Sequence, residues 1–144
     1  MSDGPAAGRP TARDLARRSQ DAVRAGDRAG WLSLFAPDAV VADPVGPSPL
    51  DPAGNGHQGL AAIAAFYDAV IAPNDQISFE IERSYLCGDE VADVGTIRTT
   101  LPGGRHVVVV RGVYTYRTDG RGLITALRAY WEFESADLLP VHSA

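Results

Sequence analysis

The chain has 144 residues, 45% of them hydrophobic and 22% charged, which suits one soluble domain with a sizeable core. The net charge is -5 and all 13 basic residues are Arg, with no basic cluster beyond Arg17-Arg18, so the electrostatic footprint of a nucleic-acid binder is missing. A single cysteine, Cys87, excludes an internal disulfide and a Cys-rich zinc site; no apolar run approaches the roughly 18 residues of a membrane span and no leader pattern opens the chain, so a cytoplasmic protein is expected.

Residues 1–10 are small and Gly/Pro-rich and read as a disordered arm. Helix text begins at Thr11, a plausible N-cap with Asp14 three residues on. Leu15, Ala16, Ser19, Ala22 and Val23 then share one face. Gly26-Asp27 breaks that helix and caps a second, whose apolar face is Trp31, Leu32, Leu34 and Phe35. Ala36-Pro37-Asp38 ends it, and Ala39–Asp43 reads as the first strand. Pro44 to Gly59 is a loop with four prolines and four glycines, long enough to suggest a functional rim. A third helix is predicted over roughly 59–71, with Leu60, Ile63, Phe66, Tyr67 and Val70 apolar and Pro73 beyond its end.

The remainder reads as β-structure. Ile77, Phe79 and Ile81 alternate with Ser78, Glu80 and Glu82; strands over 91–100, 106–117 and 123–134 follow, joined by Gly-rich turns. Helices first and an antiparallel meander afterwards define an α+β domain over 11–135, a curled sheet with three helices packed into its concave side, followed by a tail at 136–144. In the strand 106–117 both alternating sets are apolar. One set (Val108, Val110, Gly112, Tyr114, Tyr116) faces the helices, and the other, around Val107–Thr115, predicts a homodimer contact. In the last strand Leu127, Ala129, Trp131 and Phe133 face inward.

Asp43 stands out. A carboxylate at the end of the apolar run Val40-Val41-Ala42 is costly to bury unless it is paired or neutralised, and it reads either as a turn carboxylate before Pro44 or as a group acting in a pocket. His57 and His142 fall in a loop and the tail, and His106 at a strand start. None has metal-ligand spacing, and neither a metal nor another cofactor is expected. Ser19 lacks a nucleophile-elbow context, Cys87 sits at a turn, and Gly120-Arg121-Gly122 joins two strands rather than opening a helix.

The stretches AGDRAGWLSLFAPDAVVADPVG, GLAAIAAFY and GLITALRAYWEFES together resemble the ketosteroid-isomerase-like branch of the nuclear transport factor 2-like superfamily, whose SnoaL-like polyketide cyclases share the fold. The resemblance runs from about Leu15 to Glu134 and implies a cone-shaped α+β barrel, a homodimer, and a deep apolar pocket for a flat lipophilic ligand such as a steroid. It implies that Asp43 is the general base of a proton transfer beside a carbonyl, the chemistry for which this family is a worked case of pKa tuning. The Tyr and protonated Asp that hold the enolate oxygen in the family fall on Ser19 and Gly112 here, so the resemblance leaves the oxyanion hole vacant, with Tyr114 as the leading substitute donor and Tyr116, Tyr67, the Trp131 indole or Ser19 as others. Phe66, Tyr67, Val110, Leu127 and Trp131 then become pocket wall. Two further readings follow from the same pocket. One is a non-catalytic carrier of hydrophobic metabolites. The other is SnoaL-like cyclisation or epoxide opening, which calls for a second inward acid or His that the sequence does not supply, since Arg111 points outward.

Overall fold

Thr11 begins the ordered architecture, and its neighbours explain why. In the computed structural model, which describes residues 8–141, the Thr11 hydroxyl accepts from the Asp14 N–H at 3.1 Å while the Asp14 carboxylate accepts from the Thr11 N–H at 2.9 Å. This reciprocal capping box satisfies two otherwise orphaned donors and fixes the start of α1 (Ala12–Ala25). Gly26 ends α1 with φ 69°, a left-handed conformation that a side chain would disfavour. Asp27 then caps the short α2 (Arg28–Leu32). Most of the expected N-terminal arm lies outside the described residues, and Pro10 rests on Gly122 of a distant turn.

The second helix is shorter than the sequence suggests. β1 (Phe35–Ala42) begins at Phe35, because that residue pairs with Ile124 and the Leu34 carbonyl accepts from the Ile124 N–H at 2.8 Å. A register shift between Phe35 and Val40 absorbs Pro37, which has no N–H to give the ladder. The long loop after β1 holds a two-residue strand, β2 (His57–Gln58), antiparallel to β1. α3 (Leu60–Phe66) follows and passes into a π-helical turn at Tyr67–Ile71.

β3 (Gln76–Cys87), β4 (Glu90–Thr100), β5 (His106–Thr118) and β6 (Ile124–Tyr130) form the expected antiparallel meander, and β6 pairs parallel with β1. The sheet order is β2-β1-β6-β5-β4-β3. The segment expected to be a tail adds a seventh strand, β7 (Asp137–Pro140), on the first half of β5, whose second half pairs with β6. Gly95 and Gly112 face each other across β4 and β5. At both, the neighbouring chain lies where a side chain would stand, and beside Gly95 β3 shifts register between Ile81 and Arg83.

The result is the expected α+β arrangement, a curved, unclosed mixed sheet of seven strands with three helices against it. Leu15, Ala16, Trp31, Val41, Ile63 and Ile124 are almost completely buried between the layers, with Tyr114 and Tyr116 of β5 beneath the helices. Among the described residues no helix is long and apolar enough to cross a membrane.

Candidate active site

Two chambers open on the concave side of the sheet, and Asp43 lines both. The inner chamber, about 110 Å³, is walled by Ser19, Trp31, Phe66, Tyr114, Tyr116 and Leu127, among others. The outer chamber, about 570 Å³, is walled by Leu50, Val110, Trp131, Phe133 and Leu138, among others. Val70, Ile97 and Thr99 border both, so the chambers are successive parts of one cleft. The outer part alone falls within the roughly 300–1,000 Å³ of small-molecule sites, and the whole is mostly apolar with a few polar groups at one end.

Asp43 follows directly on β1, and its bond to Pro44 is cis. The chain beyond is pinned where the Val45 N–H donates to the Ala129 carbonyl of β6 at 2.8 Å. The Asp43 carboxyl accepts a 2.6 Å hydrogen bond from the Trp131 indole, which leaves the end of β6 and stacks on Phe133 at 5.9 Å. Desolvation raises the Asp43 pKa above the ordinary carboxylate value, opposed by the Trp131 hydrogen bond and by the nearby charge of His57. A raised pKa means the folded state holds the proton more tightly than the unfolded chain. Stability contributed by this group is therefore lost as pH rises from the unfolded value through the folded one. Asp43→Asn is expected to be more stable than wild type at pH 7 and equal to it at pH 3, measured by urea denaturation at both.

The polar end of the inner chamber is built on α1 and β5. Ser19 is buried, and its hydroxyl oxygen accepts from the Trp31 indole at 3.0 Å. Tyr116 is buried with Ser19 and Gln20 at its hydroxyl, and desolvation drives its pKa far up, so it is a neutral donor. Gln20 in turn donates to the buried Asp93 at 3.1 Å. Tyr114 also lines the chamber with a strongly raised pKa, but its hydroxyl donates to the Val110 carbonyl at 3.1 Å.

The other residues expected from the sequence are distributed as follows. Phe66 and Leu127 line the inner chamber and Val110 and Trp131 the outer. Tyr67 is buried against Trp31, ring centroids 5.4 Å apart, and is packed in the core rather than among the lining residues of either chamber. A Cβ at Gly112 would meet the Tyr130 carbonyl oxygen at less than contact distance and Trp131 Cβ at 3.0 Å, so a side chain at this position would collide with backbone. Arg111 is exposed and lines neither chamber, as its parity implies; it pairs at 2.9 Å with Asp137, which lines the outer one.

Among the described residues, Asp137 is the second acid that lines the outer chamber, and His57 lines neither chamber. His57 stands in β2 opposite Val41 of β1, with its ring 4.8 Å from Phe66. Nothing local in a Gly-rich loop announces a ladder partner of β1.

A SnoaL-like domain model matches residues 16–127, most of the chain. The chain belongs to the SnoaL-like domain family. Within it, this SnoaL-like domain stands in the ketosteroid-isomerase-like branch. It is 32% identical over 114 residues to a steroid Delta-isomerase of Nocardioides simplex, covering 79% of this chain and 84% of that one. Its fold is similar to the crystal structure of a Delta 5-3-ketosteroid isomerase from Mycobacterium sp., with TM-score 0.83 and 42% identity over 88% of this chain and 97% of that one. RV0760c from Mycobacterium tuberculosis, in complex with estradiol-17beta-hemisuccinate, is similar at TM-score 0.81 and 38% identity, again over 88% and 97%. A SnoaL-like domain of this branch therefore carries the carboxylate and the apolar cleft without a side chain at Gly112.

Proposed function

We propose that this protein is a ketosteroid-isomerase-like enzyme that binds a steroid or comparable polycyclic ketone and moves a proton between two carbons next to its carbonyl. One observation carries the reading: a single carboxylate, Asp43, stands at the junction of an inner polar-ended chamber and an outer apolar one. The carbonyl end enters the inner chamber, which at about 110 Å³ is smaller than the roughly 150 Å³ cavity that accepts a benzene and so takes no more than about one ring. The remaining rings lie in the outer chamber against Trp131, Phe133 and Leu138.

In this reading the ionised Asp43 takes a proton from the carbon beside the carbonyl. The C–H electron pair moves into the ring to give a dienolate, and the protonated carboxyl returns the proton at the far end of that system. No redox step is involved. Burial makes Asp43 a stronger base than a solvated carboxylate, and the Trp131 hydrogen bond fixes its orientation. The charge growing on oxygen is met by Tyr116 and by Ser19, whose hydroxyl is polarised by Trp31. Tyr114, the donor suggested by the sequence, gives its proton to Val110 and so ranks behind them.

The test is direct. Purified protein is mixed with a Δ5-3-ketosteroid and conjugated-enone absorbance is followed. Asp43-dependent turnover supports the enzyme, and tight steroid binding without turnover supports a non-catalytic carrier. Tyr116→Phe is expected to lower kcat by about 10²-fold, the usual cost of one oxyanion donor, whereas Tyr114→Phe stays within about threefold. Equal losses in the two variants would return Tyr114 to the donor role. We also propose a homodimer through the outer sheet face. Val113 and Thr115 there border an open hollow of about 480 Å³ flanked by the exposed Tyr85 and Tyr130. Light scattering at micromolar concentration is expected to give twice the 15.2 kDa chain mass; a monomer refutes the contact.

A further inference from the structure

His57 is a half-buried side chain near the cleft whose position the proton-transfer reading leaves unexplained. Its Nε2 is fully covered and meets no hydrogen-bond partner among the described residues. Leaving a covered ring nitrogen unpaired is unfavourable, and such groups concentrate where something other than packing fixes them. Here three independent features surround it. β2 pairs with β1 so that His57 stands opposite Val41, whose side chain is completely buried in the core. Asp43 is two residues beyond Val41, just past the end of β1, and so follows directly on the segment that β2 pairs with. Finally, the ring is held against Phe66, itself a wall of the inner chamber.

We propose that His57 is a positioning residue for the Asp43 base, an imidazole whose positive form holds the buried carboxylate ionised across the β1–β2 ladder. The inference rests on the reading of Asp43 as the general base. Trp131 supplies Asp43 with a neutral hydrogen bond, which orients it but brings no charge. Among the described residues no Lys or Arg pairs with the carboxyl, and other charges on the elements around His57 are engaged elsewhere. Asp51 in the loop before β2 accepts from the Gly54 and Gly56 N–H groups at 3.2 and 2.8 Å. Asp38 of β1 is exposed, and Asp68 beyond α3 pairs with Arg28 at 2.8 Å on the surface. Arg128 of β6 donates to the Tyr130 hydroxyl. His57 is thus the cationic group left near Asp43, in a partly desolvated region where a charge is felt over several ångströms. The sign agrees with the electrostatics at Asp43, where His57 lowers a pKa that burial raises.

A pair of this kind titrates jointly, so the carboxyl should register both ionisations. The experiment uses full-length protein labelled with ¹³C in its aspartate side chains, the Asp43 signal being assigned by its loss in Asp43→Asn. Its chemical shift is followed against pH in wild type, His57→Gln and His57→Asn, alongside kcat/KM with a Δ5-3-ketosteroid. The midpoint for Asp43 is expected to move to higher pH in both variants. The acid limb of kcat/KM moves with it, so that activity below the limb falls about threefold or more while activity above it stays near wild type. A merely structural role for His57 would lower activity at every pH and leave the midpoint in place. In wild type, which requires no variant to fold, the Asp43 shift is expected to show a second, smaller inflection. An unmoved midpoint in either folded variant, or a single inflection in wild type, overturns the inference. If the protein turns over no enone at any pH, the base reading fails instead, and the carboxyl titration still decides whether the two groups are coupled.

Discussion

Asp43→Ala is expected to abolish enone isomerisation while steroid affinity stays within about tenfold, because the variant removes the carboxylate that lines both chambers and none of their apolar wall. General-base removal usually costs about 10²–10⁴ in rate, and the loss should appear in kcat far more than in KM. Two measurements establish it: initial rates by enone absorbance, and affinity from quenching of Trp31 or Trp131, which wall the two chambers. The Ala variant also leaves the Trp131 indole without its acceptor, so Asp43→Asn is the better control for geometry. An Ala variant as fast as wild type would show that the base is another group.

Gly112→Asp is the second change with a large expected effect, and it runs against what family resemblance suggests. Restoring the missing acid ought to rebuild an oxyanion hole. The backbone at Tyr130 and the Cβ of Trp131 already occupy that space, and backbone cannot swing aside as a long side chain can. The variant is therefore expected to lose about 2–4 kcal/mol, from overpacking together with burial of a polar group, and to gain no turnover. Gly112→Ala separates the contributions: if sterics dominate, it accounts for most of the loss. Urea midpoints for the three proteins give the comparison. A Gly112→Asp protein that is as stable as wild type and faster would mean that β6 can give way and that the acid position is merely empty.

Much of this architecture is written locally. The Thr11–Asp14 spacing announces the α1 cap, Gly26-Asp27 the break, and the alternation in 77–82 and 106–117 the sheet. What local pattern could not give were segments whose structure depends on a distant partner. Phe35 reads as helical by spacing and becomes strand because Ile124 pairs with it. Asp137–Pro140 has the look of a polar-apolar tail and becomes β7 because the first half of β5 would otherwise lack a neighbour on that side. The candidate site divides in the same way. Asp43 is visible as a carboxylate ending an apolar run. Trp131 shows only as an inward aromatic, its bond to Asp43 spanning 88 positions. His57 and the Ser19–Trp31 pair depend on register and helix packing, which no spacing rule encodes.

The difference in size between the two chambers has a practical consequence for handling ligands. If only the ketone-bearing ring passes Asp43, the far end of the molecule remains in the wide outer part beside the exposed Phe133 and Leu138. That end is then the place to attach a fluorophore or a resin linker. Compounds tethered there should still be retained by the protein, and those tethered through the ring carbonyl should not. An affinity column made both ways would thus report the direction in which a ligand enters, before any complex is crystallised.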